Sequence, residues 1–466
     1  MPGCEILQSF DLVHWEHATY VYETLDHTDA QQLKSGQNIY GQGMWAASLR
    51  YHEGRFYICF VANDTRKTYL YTSEKIDGPW KKQLIEGFYH DGSLLFDEDG
   101  RNYIVYGNDE IWITELNEDL TAPKKDGLHR LLVSDHKNPE LGYEGSHIQK
   151  INGYYYIFLI HSLRDRWMRT EACFYSDSLE GEFTGGDVLC DDRGYCGQGV
   201  AQGGIVDTPD GKWYAMLFQD SGAVGRLPIL LPVTWKDHFP VFGQNGHVPE
   251  EIEVHSTRPG YIYQPLVGSD DFCNGLLPRW QFNHDPDPRY YHLDALQGTY
   301  TITTREVCTE LTQAVNTLTQ RMSYPSCAAE VTVDASALKE GDVAGLCAFQ
   351  GCYAAVGITK HHGKYEVLML DKKEDGILDM TEGTVVESHQ MDFRLEADFC
   401  NMKDEARCYY RVNKGDWLPI GTVHKLYFKL DHFTGCRFGL FCYAAEETGG
   451  SACFRDFKYY DVDEIS

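Results

Sequence analysis

The stretch Leu141-Gly142-Tyr143-Glu144-Gly145-Ser146-His147-Ile148 runs straight on into Gln149-Lys150-Ile151-Asn152-Gly153-Tyr154-Tyr155-Tyr156-Ile157. Asn-Gly between two apolar segments is the strongest short-range signal for a β-hairpin, because both residues tolerate the left-handed backbone of a two-residue turn. The same turn, glycine and aromatic run recurs as Glu53-Gly54-Arg55-Phe56-Tyr57-Ile58, Asp99-Gly100-Arg101-Asn102-Tyr103-Ile104 and Asp210-Gly211-Lys212-Trp213-Tyr214-Ala215. The four glycines are 46, 53 and 58 residues apart. Strand repeats of about 40 to 50 residues are what propeller blades look like in sequence.

A second piece follows three of these hairpins: Ser73-Glu74-Lys75-Ile76-Asp77-Gly78-Pro79-Trp80, Leu116-Asn117-Glu118-Asp119-Leu120 and Ser176-Asp177-Ser178-Leu179-Glu180-Gly181-Glu182-Phe183. It reads as the outer strands of a blade. The same piece opens the chain as Ser9-Phe10-Asp11-Leu12-Val13-His14-Trp15, with no hairpin before it. By the spacing of the other copies, the chain is expected to begin inside a blade.

Nine residues before each repeat glycine stand Trp45, Asp91, Glu144 and Gln202, each followed by two small residues and then apolar ones. Equivalent positions on the innermost strands of a propeller converge near its axis. An Asp or Glu before Gly is commonly no more than a turn residue. Two acids at the same offset in adjacent repeats, with small neighbours and an aromatic beside them, point instead to a placed pair. Paired carboxylates are what glycoside hydrolysis requires: a neighbouring negative charge and desolvation keep one of them protonated near neutral pH, and an aromatic face stacks on a sugar. Asp97 and Asp99 lie in a hairpin turn and read as solvated turn residues rather than a calcium loop. Arg226, in a Gly-bounded segment after the fourth hairpin, is either a surface ion-pair partner or a guanidinium that holds sugar hydroxyls.

Bulk composition limits the alternatives. With 466 residues, 31 Tyr, 44 Gly and 13 % aromatics, the chain favours strands joined by tight turns, in more than one domain. A formal charge of −29 repels phosphate backbones and anionic lipid, which excludes nucleic acid and membrane surface and leaves a neutral ligand such as a sugar. No apolar run reaches the roughly 18 residues of a spanning helix. Fifteen cysteines carry no CxxC pair, and Cys347/Cys352 and Cys436/Cys442 are too loosely spaced for a zinc ribbon. Without a basic and then apolar N-terminal leader the chain is expected to be cytoplasmic with free thiols.

These residues resemble glycoside hydrolase family 43, in particular its two-domain β-xylosidases and α-L-arabinofuranosidases. The resemblance is carried by Pro2-Gly3 leading to Asp11-Leu12-Val13-His14-Trp15, by Gly43-Met44-Trp45-Ala46, His90-Asp91-Gly92-Ser93-Leu94, Glu144-Gly145-Ser146-His147 and Gln202-Gly203-Gly204-Ile205-Val206-Asp207-Thr208, and by Gly225-Arg226-Leu227-Pro228 running to Leu231-Pro232-Val233-Thr234-Trp235. It implies an all-β chain with a five-bladed propeller and an inverting mechanism. Glu144 falls at the general-acid position, Asp91 at the pKa-modulator position and Arg226 at a substrate-contacting arginine, with Trp45 and Gln202 as further substrate-binding residues. The family's general base is an Asp ahead of the first inner hairpin, and no residue of the chain takes that position by motif. Many members place a His before Gln-Gly-Gly to hold calcium; here it is Ala201, so no metal is assigned and no cofactor is expected.

The hairpin repeats stop near Gln244-Asn245-Gly246-His247. Residues 1–250 are read as the propeller with an incomplete first blade, 251–268 as a connector and 269–466 as a β-sandwich of short alternating strands. Trp280-Gln281-Phe282-Asn283-His284-Asp285-Pro286 and Asn316-Thr317-Leu318-Thr319-Gln320-Arg321 resemble the concanavalin-A-like domain of family 43 xylosidases, in which a sandwich loop helps close the pocket. His361-His362-Gly363 reads as a polar hairpin turn. The expected activity is exo-acting release of xylose from β-1,4-xylo-oligosaccharides. The alternatives are an α-L-arabinofuranosidase on arabinose-bearing oligosaccharides and a non-catalytic carbohydrate-binding propeller. Exposed sheet edges in an incomplete blade also favour a homo-oligomer.

Overall fold

The computed structural model of the chain describes residues 3–432 and 434–461, so Pro2 and the ends of the expected first and last segments lie outside it. A two-stranded sheet comes first, β1 (Gly3–Gln8) with β2 (Glu16–Tyr22). Four sheets of four strands follow among the described residues, each running in chain order from its inner to its outer strand. They are β3 (Ser48–His52), β4 (Arg55–Ala62), β5 (Lys67–Ser73) and β6 (Lys81–Ile85); β7 (Ser93–Phe96), β8 (Asn102–Asn108), β9 (Glu110–Leu116) and β10 (His129–Ser134). The third holds β11 (Glu144–Ile151), β12 (Tyr154–Ser162), β13 (Arg169–Ser176) and β14 (Thr184–Leu189), and the fourth β15 (Ala201–Asp207), β16 (Trp213–Asp220), β17 (Arg226–Lys236) and β18 (Phe239–Phe242).

Turn chemistry explains the meander. Gly54, Gly100, Gly153 and Gly211 all have positive φ, and nothing lies within 4 Å of a Cβ built on any of them, so backbone conformation rather than space requires glycine there. Glu53 and Asn152 are also left-handed, which makes two-residue turns with His52 opposite Arg55 and Ile151 opposite Tyr154. The other two hairpins are longer, pairing Phe96 with Asn102 and Asp207 with Trp213. In the first of these, Asp97 is not solvated. Its carboxylate is turned inward, 6 % exposed, and accepts bonds from Lys150 Nζ and the Tyr155 hydroxyl, each at 2.6 Å.

Adjacent sheets pack face to face. Leu70 and Ile85 meet Leu94 and Ile104; Tyr103, Ile111 and Ile113 meet Ile148, Ile157 and Leu159; Tyr156 and Phe158 meet Ile205, Ala215 and Leu231. The β1–β2 pair covers Ile58, Phe60 and Tyr71 of the first four-stranded sheet. This is the propeller arrangement expected: four full blades and a two-stranded piece at one end.

Residues 251–268 form no helix or strand, and they grip β1–β2 through the Tyr261 hydroxyl and the Gln264 backbone N–H, which donate to the Glu16 carboxylate at 2.5 and 2.9 Å. Beyond them, sheets of eight and seven strands stack as an antiparallel sandwich around Phe282, Leu346, Val356, Phe393, Phe438 and Phe454. His362 and Gly363 form a left-handed two-residue turn between paired strands, as expected. None of the 15 cysteines is in a disulfide, and the four cysteines of the two pairs weighed for zinc are buried.

Candidate active site

Inner strands β3, β7, β11 and β15 lie side by side around the axis. Glu144 is the first residue of β11 and Gln202 the second of β15, while Asp91 and Trp45 lie two and three residues ahead of β7 and β3, so all four stand at the same end of their blades. The small residues that follow them tie one blade to the next. Ser48 Oγ donates to Gly92 O at 2.9 Å, Ser93 Oγ accepts from Ile148 N at 3.0 Å, and Ser146 Oγ reaches Asp91 O at 2.8 Å. Bulges set the exact aim of the side chains. The register shifts between Glu144 and His147 and again between Ala201 and Gly204, and Asp91, Gly145 and Gln202 all have left-handed φ.

Two carboxylates meet here around an imidazole. His90 Nε2 is 3.6 Å from Glu144 Oε2 and 3.7 Å from Asp91 Oδ2. These are ion-pair separations, beyond hydrogen-bond reach. Glu144 Oε2 accepts from Asn108 Nδ2 at 2.7 Å, and Asp91 Oδ2 accepts from Gly145 N at 3.2 Å. Burial pushes the Asp91 carboxyl up to about 6; the Glu144 charge adds to this, and His90, the Gly145 N–H and Arg226 oppose it. Burial also works against the charged His90 ring, but Glu144 and Asp91 outweigh it and hold its pKa above the ordinary histidine value. The Trp45 ring lies 5.6 Å from that of His90.

Arg226 opens β17 with Nε 3.2 Å from Asp220 Oδ1, and Arg169 Nη2 is 3.1 Å from the other oxygen of the same carboxylate. Both guanidinium groups lie over the Phe218 ring, at 4.3 and 5.3 Å. Their charges reach the acids: Arg226 acts on Asp91, and Glu144 acts on Arg169. Beside this triad is a cavity of about 330 Å³ whose walls include Trp167, Arg169 and Asp220 from the propeller and Met402, Asp404 and Phe428 from the sandwich. Gln202 packs its side chain against Gly145, where a Cβ would fall 2.8 Å away, and its backbone N–H donates to the buried Glu171 carboxyl at 2.7 Å.

All five sequence-derived residues thus gather in one region. His90, Asn108, Arg169, Glu171 and Asp220 belong to it as well. His90 had a signal, being next to Asp91; the others come from second and third strands, where the repeat leaves no mark. Ala201 is buried and its methyl group offers no donor, so the residues there do not fit a calcium ion held by a histidine at that position, and no step is routed through one.

A sequence profile of "Glycosyl hydrolases family 43" matches residues 1–240, and one of the "Beta xylosidase C-terminal Concanavalin A-like domain" matches residues 269–460. A beta-xylosidase of Formosa agariphila is 25 % identical, over 99 % of this chain and 84 % of its own length. A non-reducing end alpha-L-arabinofuranosidase of Bacteroides ovatus is 23 % identical over 82 % of this chain and 74 % of its own. The solved structure of a bifunctional GH43-CE protein from Bacteroides eggerthii superposes with a TM-score of 0.90 at 41 % identity; the match covers 99 % of this chain and 59 % of that longer one.

Proposed function

The chain belongs to glycoside hydrolase family 43, and from that premise we propose that it removes xylose from the non-reducing ends of β-1,4-xylo-oligosaccharides with inversion at the anomeric carbon. The observation that carries the reading is the meeting of His90, Asp91 and Glu144, whose ligand-type atoms all lie within 4.8 Å, at the inner-strand ends of adjacent blades. Glu144 protonates the leaving oxygen, aimed by Asn108. Asp91 takes the modulator position: its charge orients the acid and its proton affinity is coupled to it. Arg226, fixed by Asp220, donates to sugar hydroxyls in a planar fork. Trp45 supplies an apolar face, and Gln202 an amide. The cavity beside Arg169 and Asp220 has Met402, Asp404 and Phe428 of the sandwich in its wall, and a wall there that stops the chain beyond its terminal sugar supports exo action.

Inversion calls for a second carboxylate about 6.5 to 9.5 Å from the acid, with a water between them. No described residue is assigned to it, so the test must separate cutting from binding. Release of nitrophenol from β-xyloside and α-L-arabinofuranoside substrates is compared between the wild type and Glu144→Gln, with xylobiose binding followed by calorimetry. Xyloside hydrolysis well above the variant's supports the proposal. Preference for the furanoside favours an arabinofuranosidase, the activity named for one of the relatives. Xylobiose binding with no turnover above that of the variant means the pocket holds sugar without cutting it.

A further inference from the structure

Around His90 three side chains face one point without bonding to one another. Its Nε2 is buried and makes no hydrogen bond; the Asp91 oxygen nearest to it is Oδ2, which accepts from Gly145 N, while the other oxygen of that carboxylate, Oδ1, is buried and unbonded on a residue only 6 % exposed. Orphaned buried polar atoms are costly, and in native proteins they ask for a missing partner. The nitrogen–oxygen separations of 3.6 and 3.7 Å are those of ligands about 2.0 to 2.2 Å from a shared ion, at angles of about 110 to 125°. The supports of a metal site are also present. Asn108 Nδ2 and Gly145 N fix the two carboxylates, and the Trp45 ring flanks the imidazole. A chain charge of −29 raises the local cation concentration.

We propose that His90, Asp91 and Glu144 form a divalent-cation site whose occupancy switches the pocket off. One imidazole and two carboxylates suit Zn²⁺ or Co²⁺ better than Ca²⁺, which takes six to eight oxygens. Coordination ties up the Glu144 lone pairs that carry its proton, and it places a positive charge where the leaving oxygen is to be protonated. Metal binding itself does not depend on the hydrolase reading; only the inhibition does.

The test is titration of the full-length chain with Co²⁺, followed by calorimetry and visible absorption, after alkylation of exposed thiols such as Cys190, Cys196, Cys273 and Cys400. The expected result is one Co²⁺ per chain with weak visible d–d bands and no thiolate charge-transfer band. Asp91→Asn and His90→Gln, checked for unchanged circular dichroism, should weaken it by more than the roughly 10- to 100-fold typical of losing an outer-shell partner. Co²⁺ and Zn²⁺ should inhibit nitrophenyl xyloside hydrolysis competitively, with full recovery on adding EDTA. Equal affinity in both variants, a thiolate band, or no binding at millimolar Co²⁺ overturns the site. Binding without inhibition of an active chain overturns the switch, whereas a metal-free chain that hydrolyses nothing counts against the glycosidase reading and leaves the binding result standing.

Discussion

The Glu144 carboxylate accepts a hydrogen bond from Asn108 Nδ2 at 2.7 Å and faces a second acid across the His90 ring. A proton donor matters most where the leaving group is poorest. Glu144→Gln is therefore expected to cut kcat/KM on xylobiose by about 100- to 10,000-fold and on a nitrophenyl xyloside by clearly less. Equal losses on the two substrates would remove Glu144 from the acid role. A second prediction concerns a residue far from the site. Asp342 is fully buried in the sandwich, Oδ2 accepts from Lys339 N at 2.8 Å, and Oδ1 has no partner. Burial pushes its carboxyl up to about 6. Because the folded value exceeds the unfolded one, ionisation costs stability, and the cost grows as pH rises from about 4 through 6. The stability of Asp342→Asn relative to wild type should thus climb by up to about 3 kcal/mol between pH 4 and pH 8. A pH-independent difference in denaturant midpoints would count against it. At this scale the sequence was legible wherever a residue shares an offset with its copies, as Trp45, Asp91, Glu144 and Gln202 do. Asn108 and Asp220 were not, because what makes them functional is a partner on another strand.

At the scale of the element, Gly145 and Gly153 bound the same strand and test different things. Both have left-handed φ, +66° and +86°, but a Cβ on Gly153 meets nothing within 4 Å, whereas one on Gly145 comes 2.8 Å from the Gln202 side chain. Gly153→Ala pays only for backbone strain, about 1 to 2 kcal/mol, and should leave kcat unchanged. Gly145→Ala carries the same strain, and it also disturbs the bulge that aims Glu144 and the N–H that reaches Asp91. Its kcat should fall at least tenfold, the mark of a small misplacement at the chemistry. Parallel melts and kinetics of the two variants separate strain from function. If Gly153→Ala lowered kcat as much as Gly145→Ala, the bulge would not be what aims the acid. The glycines also show how far turn chemistry reads: Glu53-Gly54 and Asn152-Gly153 give the tight turns their dipeptides imply, while Asp99-Gly100 closes a longer loop. Whether Asp97 faces water or a neighbouring blade depends on Lys150 and Tyr155, some fifty residues away, which no local pattern reveals.

On the scale of the whole molecule, the two halves share packing. Ala223 and Val224, in the loop between β16 and β17, are buried in the same cluster as the sandwich residues Phe399, Leu426 and Phe438. The Ala223 peptide is bonded at both ends, its N–H to Asp404 Oδ1 at 3.1 Å and its carbonyl from Cys436 N at 2.8 Å. On the far side the Tyr40 hydroxyl donates to Thr312 O and accepts from Asn283 Nδ2, both at 2.6 Å. Modest polar interfaces let domains melt apart, whereas a shared apolar core couples them. The full chain should therefore unfold in a single calorimetric transition, and two resolved peaks would refute the coupling. Asp404 also lines the cavity beside Arg169 and Asp220, so it connects that joint to the site. Asp404→Ala leaves the Ala223 N–H without its acceptor, at a cost of about 1 to 3 kcal/mol, whereas Asp404→Asn keeps an acceptor oxygen and should lose much less. If the joint positions the cavity wall, KM for xylobiose should rise in the alanine variant and stay near wild type in the asparagine variant. Equal KM in all three forms would confine Asp404 to stability alone.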